Sequence, residues 1–377
     1  MADTADTADT ARERCSVCIP TYRRPRELAK CLDALMRQTE PPDEIVISDA
    51  GGDAETPDVV RASGGRHCPT PRSGLPWQRW WAYQHSHGSP ESLVFFLDDD
   101  VQLAPDALAT IRAAYRQQPD LAGAGFAITF GDPSPQPSPL EGERGTPSPR
   151  LRGEGWGEGP PPTLRERWLG IAGARPGTIT NGGLTIIQPV PDTGHWTSEV
   201  DWLSGGAMSF RRSVLDAVGP LDRLYALYDE RIGVAEDSIL CRRASRHGRL
   251  LLIVGPYAWH PPIEHATRTE SPTDGYLKGL LETWGRAHVV RWLASDERAS
   301  GRAWARLASL ELARAAKAAL RHPLAPARWQ RIAGDLVGIQ RTIRRWDRIP
   351  AHAGPGHGPL EGETRGGERH EHESQRA

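Results

Sequence analysis

Three short apolar runs, each followed by a helix-forming stretch and each ending in polar residues, constrain this chain more than any other feature in it. Ser16-Val17-Cys18-Ile19-Pro20 reads as a strand, and Arg26 to Gln38 sets Leu28, Cys31, Leu32, Leu35 and Met36 three and four apart, the stripe of an amphipathic helix. Ile45-Val46-Ile47-Ser48-Asp49 is the second strand, closed by Gly51-Gly52. A Trp-rich helix over Gln78 to His87 leads to a third strand, Leu93-Val94-Phe95-Phe96-Leu97, and Pro105 to Gln117 is helical again. The order β-α-β-α-β-α predicts an α/β fold, a mainly parallel sheet with helices on both faces.

Beyond this the pattern changes. Residues 131 to 162 are almost wholly Pro, Ser, Gly, Glu and Arg, too poor in apolar side chains to fold on their own, and are expected to be a disordered insertion. Its word Pro139-Leu140-Glu141-Gly142-Glu143 returns at Pro359-Leu360-Glu361-Gly362-Glu363, as inserted repetitive coding sequence would. Thr178 to Ile187, centred on Asn181-Gly182, carries a hairpin signal. Helices are expected over 213 to 218 and from Glu236 through Arg246, then a strand from Leu250 to Val254 with His260 just beyond it. Residues 276 to 346 read as helical throughout. The boundaries that follow are a disordered terminus at 1–13, a catalytic domain at 14–262 interrupted by 131–162, a helical region at 263–349 and a disordered tail at 350–377.

Composition agrees with a core diluted by unfolded segments: hydrophobic residues are 38% of the 377, while Gly 39 and Pro 33 are abundant. A net charge of −2 gives no global field for a polyanion, so nucleic acid is not an expected partner. Five scattered cysteines, Cys15, Cys18, Cys31, Cys68 and Cys241, suit a reducing compartment, and the protein is read as cytoplasmic. The Cys15-x-x-Cys18 pair has no second pair or nearby His to complete a zinc site and reads as strand packing. The opening Ala-Asp-Thr repeats lack the basic and apolar regions of a signal peptide, and no run approaches a membrane span. Residues 281 to 350 hold 14 basic and 6 acidic side chains, which leaves two readings open: peripheral contact with an anionic membrane face, or solvated helices packed on the catalytic domain.

The feature richest in chemistry is Asp98-Asp99-Asp100 directly after a buried strand. In an open parallel sheet the ligand crevice lies at the carboxyl ends of the strands, so three acids would be gathered there. Clustered carboxylates raise one another's pKa, and a divalent cation relieves the repulsion; oxygen donors beside phosphates favour Mg²⁺ or Mn²⁺. A solvated acidic turn ahead of the next helix is the plainer alternative. Asp49 ends an earlier strand and Pro20-Thr21-Tyr22-Arg23-Arg24 the first, so three strands deliver polar groups to one edge.

Taken together, Ser16 to Arg24, Ile47-Ser48-Asp49, Leu75-Pro76-Trp77-Gln78-Arg79, Asp98 to Asp100, Gly205-Gly206-Ala207-Met208 and Glu236-Asp237 resemble the glycosyltransferase family 2 enzymes of the GT-A fold, over about residues 14 to 262. The resemblance implies an inverting, metal-dependent transfer from a nucleotide-diphosphate sugar to the hydroxyl of a glycan or glycolipid, in cell-surface polysaccharide or glycolipid synthesis. It implies that Pro20, Thr21, Tyr22, Arg24, Asp49, Arg79, Asp98 and Asp99 border the nucleotide sugar, with Asp49 on the base and Arg79 near the base or diphosphate. Asp100 would ligate the divalent cation with Asp98 and His260, the alternative for His260 being a loop histidine with satisfied hydrogen bonds; Trp202 would meet the acceptor or else fill the core, and Gly205 and Gly206 would leave room for donor sugar and acceptor at the backbone. Asp237 matches the catalytic base, with Glu236 beside it. Trp77, Trp80 and Trp81 read as core.

Two departures from the family pattern bear on the donor. Ala50-Gly51-Gly52 follows Asp49 where an acidic residue or Asn and then Gly-Ser is usual, and Trp80 follows Arg79 where Asn is usual. A sugar-phosphate nucleotidyltransferase would need a Gly-rich loop after the first strand, which Pro20 to Pro25 lacks. The non-enzymatic alternative is a degenerate domain that binds nucleotide sugar or docks at a membrane; retention of both Asp100 and Asp237 speaks against it.

Overall fold

The computed structural model describes residues 13–130, 164, 177–179, 195–219, 236–261, nine positions between 276 and 290, and 297–321 and 326–345. The expected disordered segments and most of the expected hairpin, from 180 onward, lie outside the described residues.

The strands are β1 (Cys15–Thr21), β2 (Glu44–Asp49), β3 (Arg66–Pro69), β4 (Leu93–Leu97), β5 (Gln102–Leu103), β6 (Leu121–Phe130), β7 (Trp196–Val200), β8 (Ala207–Arg211) and β9 (Arg249–His260). The helices are α1 (Pro25–Met36), α2 (Thr56–Ala62), α3 (Leu75–Gln84), α4 (Ala107–Gln117), α5 (Arg212–Val218), α6 (Glu236–Ala244), α7 (Glu297–Arg321) and α8 (Pro326–Arg345). All nine strands join one sheet in the order β3-β2-β1-β4-β8-β6-β9-β5, with β7 paired to β9. The half built from β3, β2, β1 and β4 is parallel. Beyond β4 the sheet is mixed: β8 runs antiparallel between β4 and β6, and β6 is parallel to β9.

Alternation along the strands sorts the core into two layers. Val94 and Phe96 of β4 face a cluster with Cys18, Tyr83, Met208 and Phe210, while Leu93, Phe95 and Leu97 face another with Val17, Ile19, Leu28, Leu32 and Leu35. A strand buried on both faces reads as an unbroken apolar run because each face has helices to cover it. The same period puts Cys15 and Cys18 in opposite layers, so they pack separately. All five cysteines are buried.

Several elements go beyond the sequence expectation. α2 and β3, between the second and third expected strands, and the ten-residue β6 carry no clear periodicity. β9 continues through Gly255 and Pro256 to His260, so that histidine ends a strand rather than following one. Trp80 and Trp81 are half-buried against the core, and Trp77 stacks on Trp81 at 5.8 Å under the Arg72 guanidinium. Arg112 of α4 is fully buried: it donates to the carbonyls of Glu13, Glu40 and Pro41 and to the carboxylates of Glu40 and Asp43, tying α4 to the start of β1 and the turn before β2.

Towards the C-terminus, ion pairs link the helical turns: Arg286 meets Glu311 at 2.5 Å and Glu282 at 3.1 Å, and Arg331 pairs with Glu282 and Asp335. Among the described residues no helix is long and apolar enough to cross a membrane.

Candidate active site

The parallel half of the sheet delivers its polar groups to one edge, as the strand ends predict. Thr21 closes β1 and Asp49 closes β2, opposite one another in register. Gln78 of α3 staples them by donating to the carbonyls of Thr21 at 2.7 Å and Ser48 at 3.2 Å. Asp49 is buried and aimed from both sides: the Gly51 amide donates to Oδ1 at 2.7 Å, and His67 Nε2 lies 3.0 Å from Oδ2. His67 was not anticipated, because β3, which carries it, has too short a pattern to place it. After Thr21 the chain turns through Arg23, the one non-glycine at positive φ (56°) among the described residues, and Tyr22 is left half-exposed at the edge. Gly51 is needed there, since a Cβ on it would meet the Arg23 amide nitrogen.

The three aspartates after β4 take different surroundings. Asp99 is buried, accepting from Thr21 Oγ1 at 2.7 Å and from Arg24 Nη1 at 3.2 Å. Burial, aided by Asp100 and Asp98, pushes its pKa up to about 7 against the pull of Thr21 and Arg24. Asp100 receives Arg24 Nη1 at 2.6 Å and faces His260 Nε2 at 3.2 Å. Asp98 keeps a half-open carboxylate whose Oδ1 accepts from Arg79 Nη2 at 2.8 Å.

On the other side of Arg79, Glu236 and Asp237 open α6, where negative charge suits the helix N-terminus. Asp237 accepts from the Ser238 amide at 2.6 Å and the Gly205 amide at 3.3 Å. Glu236 Oε1 accepts from Arg79 Nη1 at 2.9 Å. Arg79 therefore bridges the two acid groups, its side chain only 4% exposed. Burial alone would lower the guanidinium's pKa, but Asp98 and Glu236 more than reverse this and keep it charged. Burial raises the pKa of both Glu236 and Asp237, Asp237 adding to the rise of Glu236 and Arg79 opposing it in both. Carboxylates so raised are better proton acceptors near neutral pH than free ones.

A side chain at either of the two glycines expected near donor sugar and acceptor would meet protein atoms. A Cβ on Gly205 would lie 2.7 Å from Arg79 Nη1, and one on Gly206 would lie 2.8 Å from Ile128 Cδ1 and 3.2 Å from Asp98 Oδ2. Gly205 thus lets the guanidinium lie against the backbone. Trp202 is packed partly buried against the core, beside Leu203, whose amide donates to Cys241 Sγ at 3.2 Å.

The donor chemistry near Asp100 fits a divalent cation. His260 Nδ1 donates to the Pro261 carbonyl at 2.8 Å, and its Nε2 lies 3.2 Å from Asp100 Oδ2, the oxygen that also receives Arg24 Nη1 at 2.6 Å. Among the described residues no three His, Cys, Asp or Glu converge as a complete metal site. One carboxylate and one imidazole are suitable ligands for such an ion.

The described residues thus form a mixed α/β sheet with two carboxylate groups bridged by a buried arginine near its strand ends. Residues 16–168 match the family model described as glycosyl transferase family 2. No curated protein matches the chain significantly. Similar solved structures include S. aureus TarS 1–349, 16% identical over 88% of this chain and 92% of that one, with a TM-score of 0.42. Another is the Pyrobaculum calidifontis mannosyltransferase PcManGT in complex with GDP-Man and Mn2+, 17% identical over 90% of this chain and 89% of that one, with a TM-score of 0.45.

Proposed function

We propose that this chain is an inverting, cation-assisted glycosyltransferase that moves a sugar from a nucleoside-diphosphate sugar to a hydroxyl of a glycan or glycolipid. The observation that carries this reading is the Arg79 bridge, which brings Asp98 and Glu236 onto one guanidinium and so gathers the two acid groups around one side chain.

In this reading Pro20, Thr21, Tyr22 and Asp49 line the nucleoside end. The fixed Asp49 carboxylate accepts from the base, and the exposed Tyr22 ring gives it a stacking surface. Asp99 is a structural acid that fixes Thr21 and Arg24, and Arg24, half-exposed, faces the diphosphate. Asp100 and His260 would hold a Mg²⁺ or Mn²⁺ ion, with Asp98 beside them. Such an ion neutralises charge developing on the leaving diphosphate. Asp237, aimed by the amides of Gly205 and Ser238, takes the proton of the incoming hydroxyl, and the loop from Trp202 to Gly206 borders the acceptor. One base without a nucleophilic partner means direct displacement, hence inversion at the sugar carbon.

A role in cell-surface polysaccharide or glycolipid synthesis at the cytoplasmic membrane face is the setting we favour. It is supported by the eight-charge basic surplus over 281 to 350 and by Trp329, Leu336 and Ile343, seven residues apart and exposed along α8.

The test is release of nucleoside diphosphate from a panel of nucleotide sugars with Mg²⁺ or Mn²⁺. Asp237→Asn should keep donor binding and lower turnover at least about a hundredfold. A fully active Asp237→Asn enzyme would remove the base from this scheme.

A further inference from the structure

Arg79 lies in the middle of α3, between two groups that belong to opposite sides of the proposed reaction, with its side chain only 4% exposed. Its Nη2 serves Asp98 at the end of β4, and its Nη1 serves Glu236 at the start of α6, 157 residues away in the chain. Its plane rests where Gly205 lacks a side chain, and the amide of that same glycine donates to Asp237. Four separate segments are thus joined through one guanidinium. A buried ion pair adds little net stability over apolar packing, so such an arrangement is better explained by where it holds charge than by how tightly it holds the fold.

We infer that Arg79 is a positioning residue: it holds Asp98 and the Glu236–Asp237 pair in register across the cleft, and its fixed charge keeps that pair ionised so that Asp237 can accept a proton. This rests on the assignment of Asp237 as the base. Among the described residues, the charged and titratable groups facing Asp237 are Glu236 on its own helix, Arg79 on α3, Asp98 beyond it and the buried Cys241 thiol one turn on; the polar groups are the Gly205 amide and Ser238. Only Arg79 in this set is a cation. Its removal and the removal of Glu236 must therefore move the protonation of Asp237 in opposite directions.

The experiment compares the pH dependence of kcat/KM for donor turnover at saturating Mn²⁺ in the wild type, Arg79→Met, Arg79→Lys and Glu236→Gln. Arg79→Met should shift the acid limb to higher pH by about one unit or more, since the acids lose their counter-charge. Glu236→Gln keeps a hydrogen-bond acceptor for Arg79 but removes one negative neighbour, so the acid limb should shift to lower pH. Arg79→Lys keeps the charge but serves one carboxylate at a time: its limb should stay within half a unit of wild type while kcat falls about tenfold or more. An Arg79→Met enzyme with lower kcat and an unmoved limb overturns the inference, because an arginine that only props the fold would behave so. If Arg79→Met does not fold, Glu236→Gln decides, and an acid limb that stays put or rises overturns it. Asp237→Asn in the same assay keeps the two ideas apart: loss of turnover there with unmoved limbs in the others rejects the clamp alone, whereas retained turnover rejects the base itself.

Discussion

Replacing Gly205 with alanine tests the site's geometry with one methyl group. The new Cβ would lie 2.7 and 2.8 Å from the two terminal nitrogens of Arg79 and 3.0 Å from its Cζ. Ordinary contact begins near 3.4 Å, so the guanidinium must retreat by roughly 0.7 Å. Its bonds to Asp98 and Glu236 are 2.8 and 2.9 Å, and a retreat of that size carries at least one of them past hydrogen-bond range. Overpacking costs about 1–3 kcal/mol, and a charge-assisted hydrogen bond contributes about 1.5–3 kcal/mol, so a loss of about 3 kcal/mol is expected. Should the loop yield instead, the 3.3 Å bond from the Gly205 amide to Asp237 breaks and turnover falls all the same. Urea unfolding followed by tryptophan fluorescence measures the first effect, and nucleoside diphosphate release the second. Gly301→Ala in α7 is the control: nothing lies within 4 Å of a Cβ there, and the change should stabilise by up to about 1 kcal/mol. A Gly205→Ala protein within about 0.5 kcal/mol of wild type and close to it in turnover would refute the packing argument.

Asp100→Ala should abolish the metal dependence of donor binding; an unchanged Mn²⁺ titration by calorimetry in the presence of donor would reject Asp100 as a ligand. Arg112→Met leaves the Asp43 and Glu40 carboxylates and three carbonyls without their shared donor, and should cost about 3 kcal/mol in urea unfolding with little change in kcat. Sedimentation with vesicles containing phosphatidylserine should carry the protein down at low salt but not at high salt, and Trp329→Ser with Leu336→Ser should weaken this. Equal binding to neutral phosphatidylcholine vesicles would rule out an electrostatic attachment.

How much could be read from the sequence followed from how each residue is held. β1, β2 and β4 were legible because strands buried on both faces must be apolar throughout, and α1 because one face packs on the sheet. The order of the sheet beyond β4 was not. That β8 inserts antiparallel between β4 and β6 depends on pairings across long stretches of chain, and no local pattern records them. Thr21, Asp49 and Asp100 were legible as strand-end polar groups, while His67 sits on a four-residue strand too short to show a period. Arg79 was singled out, yet its bond to a carboxylate on α6 is a tertiary fact. Gly205 was noted for the space it leaves, and only the coordinates say that a guanidinium fills it.

The five buried thiols make the native protein a poor substrate for alkylating reagents. They are spread over β1, α1, β3 and α6, and desolvation raises the pKa of Cys18, Cys31, Cys68 and Cys241. Each can react only when its own element opens. Residue-resolved labelling rates would therefore give four local opening equilibria from an unmodified chain, with Cys241 reporting on the helix that carries Asp237 and Cys68 on the strand that carries His67.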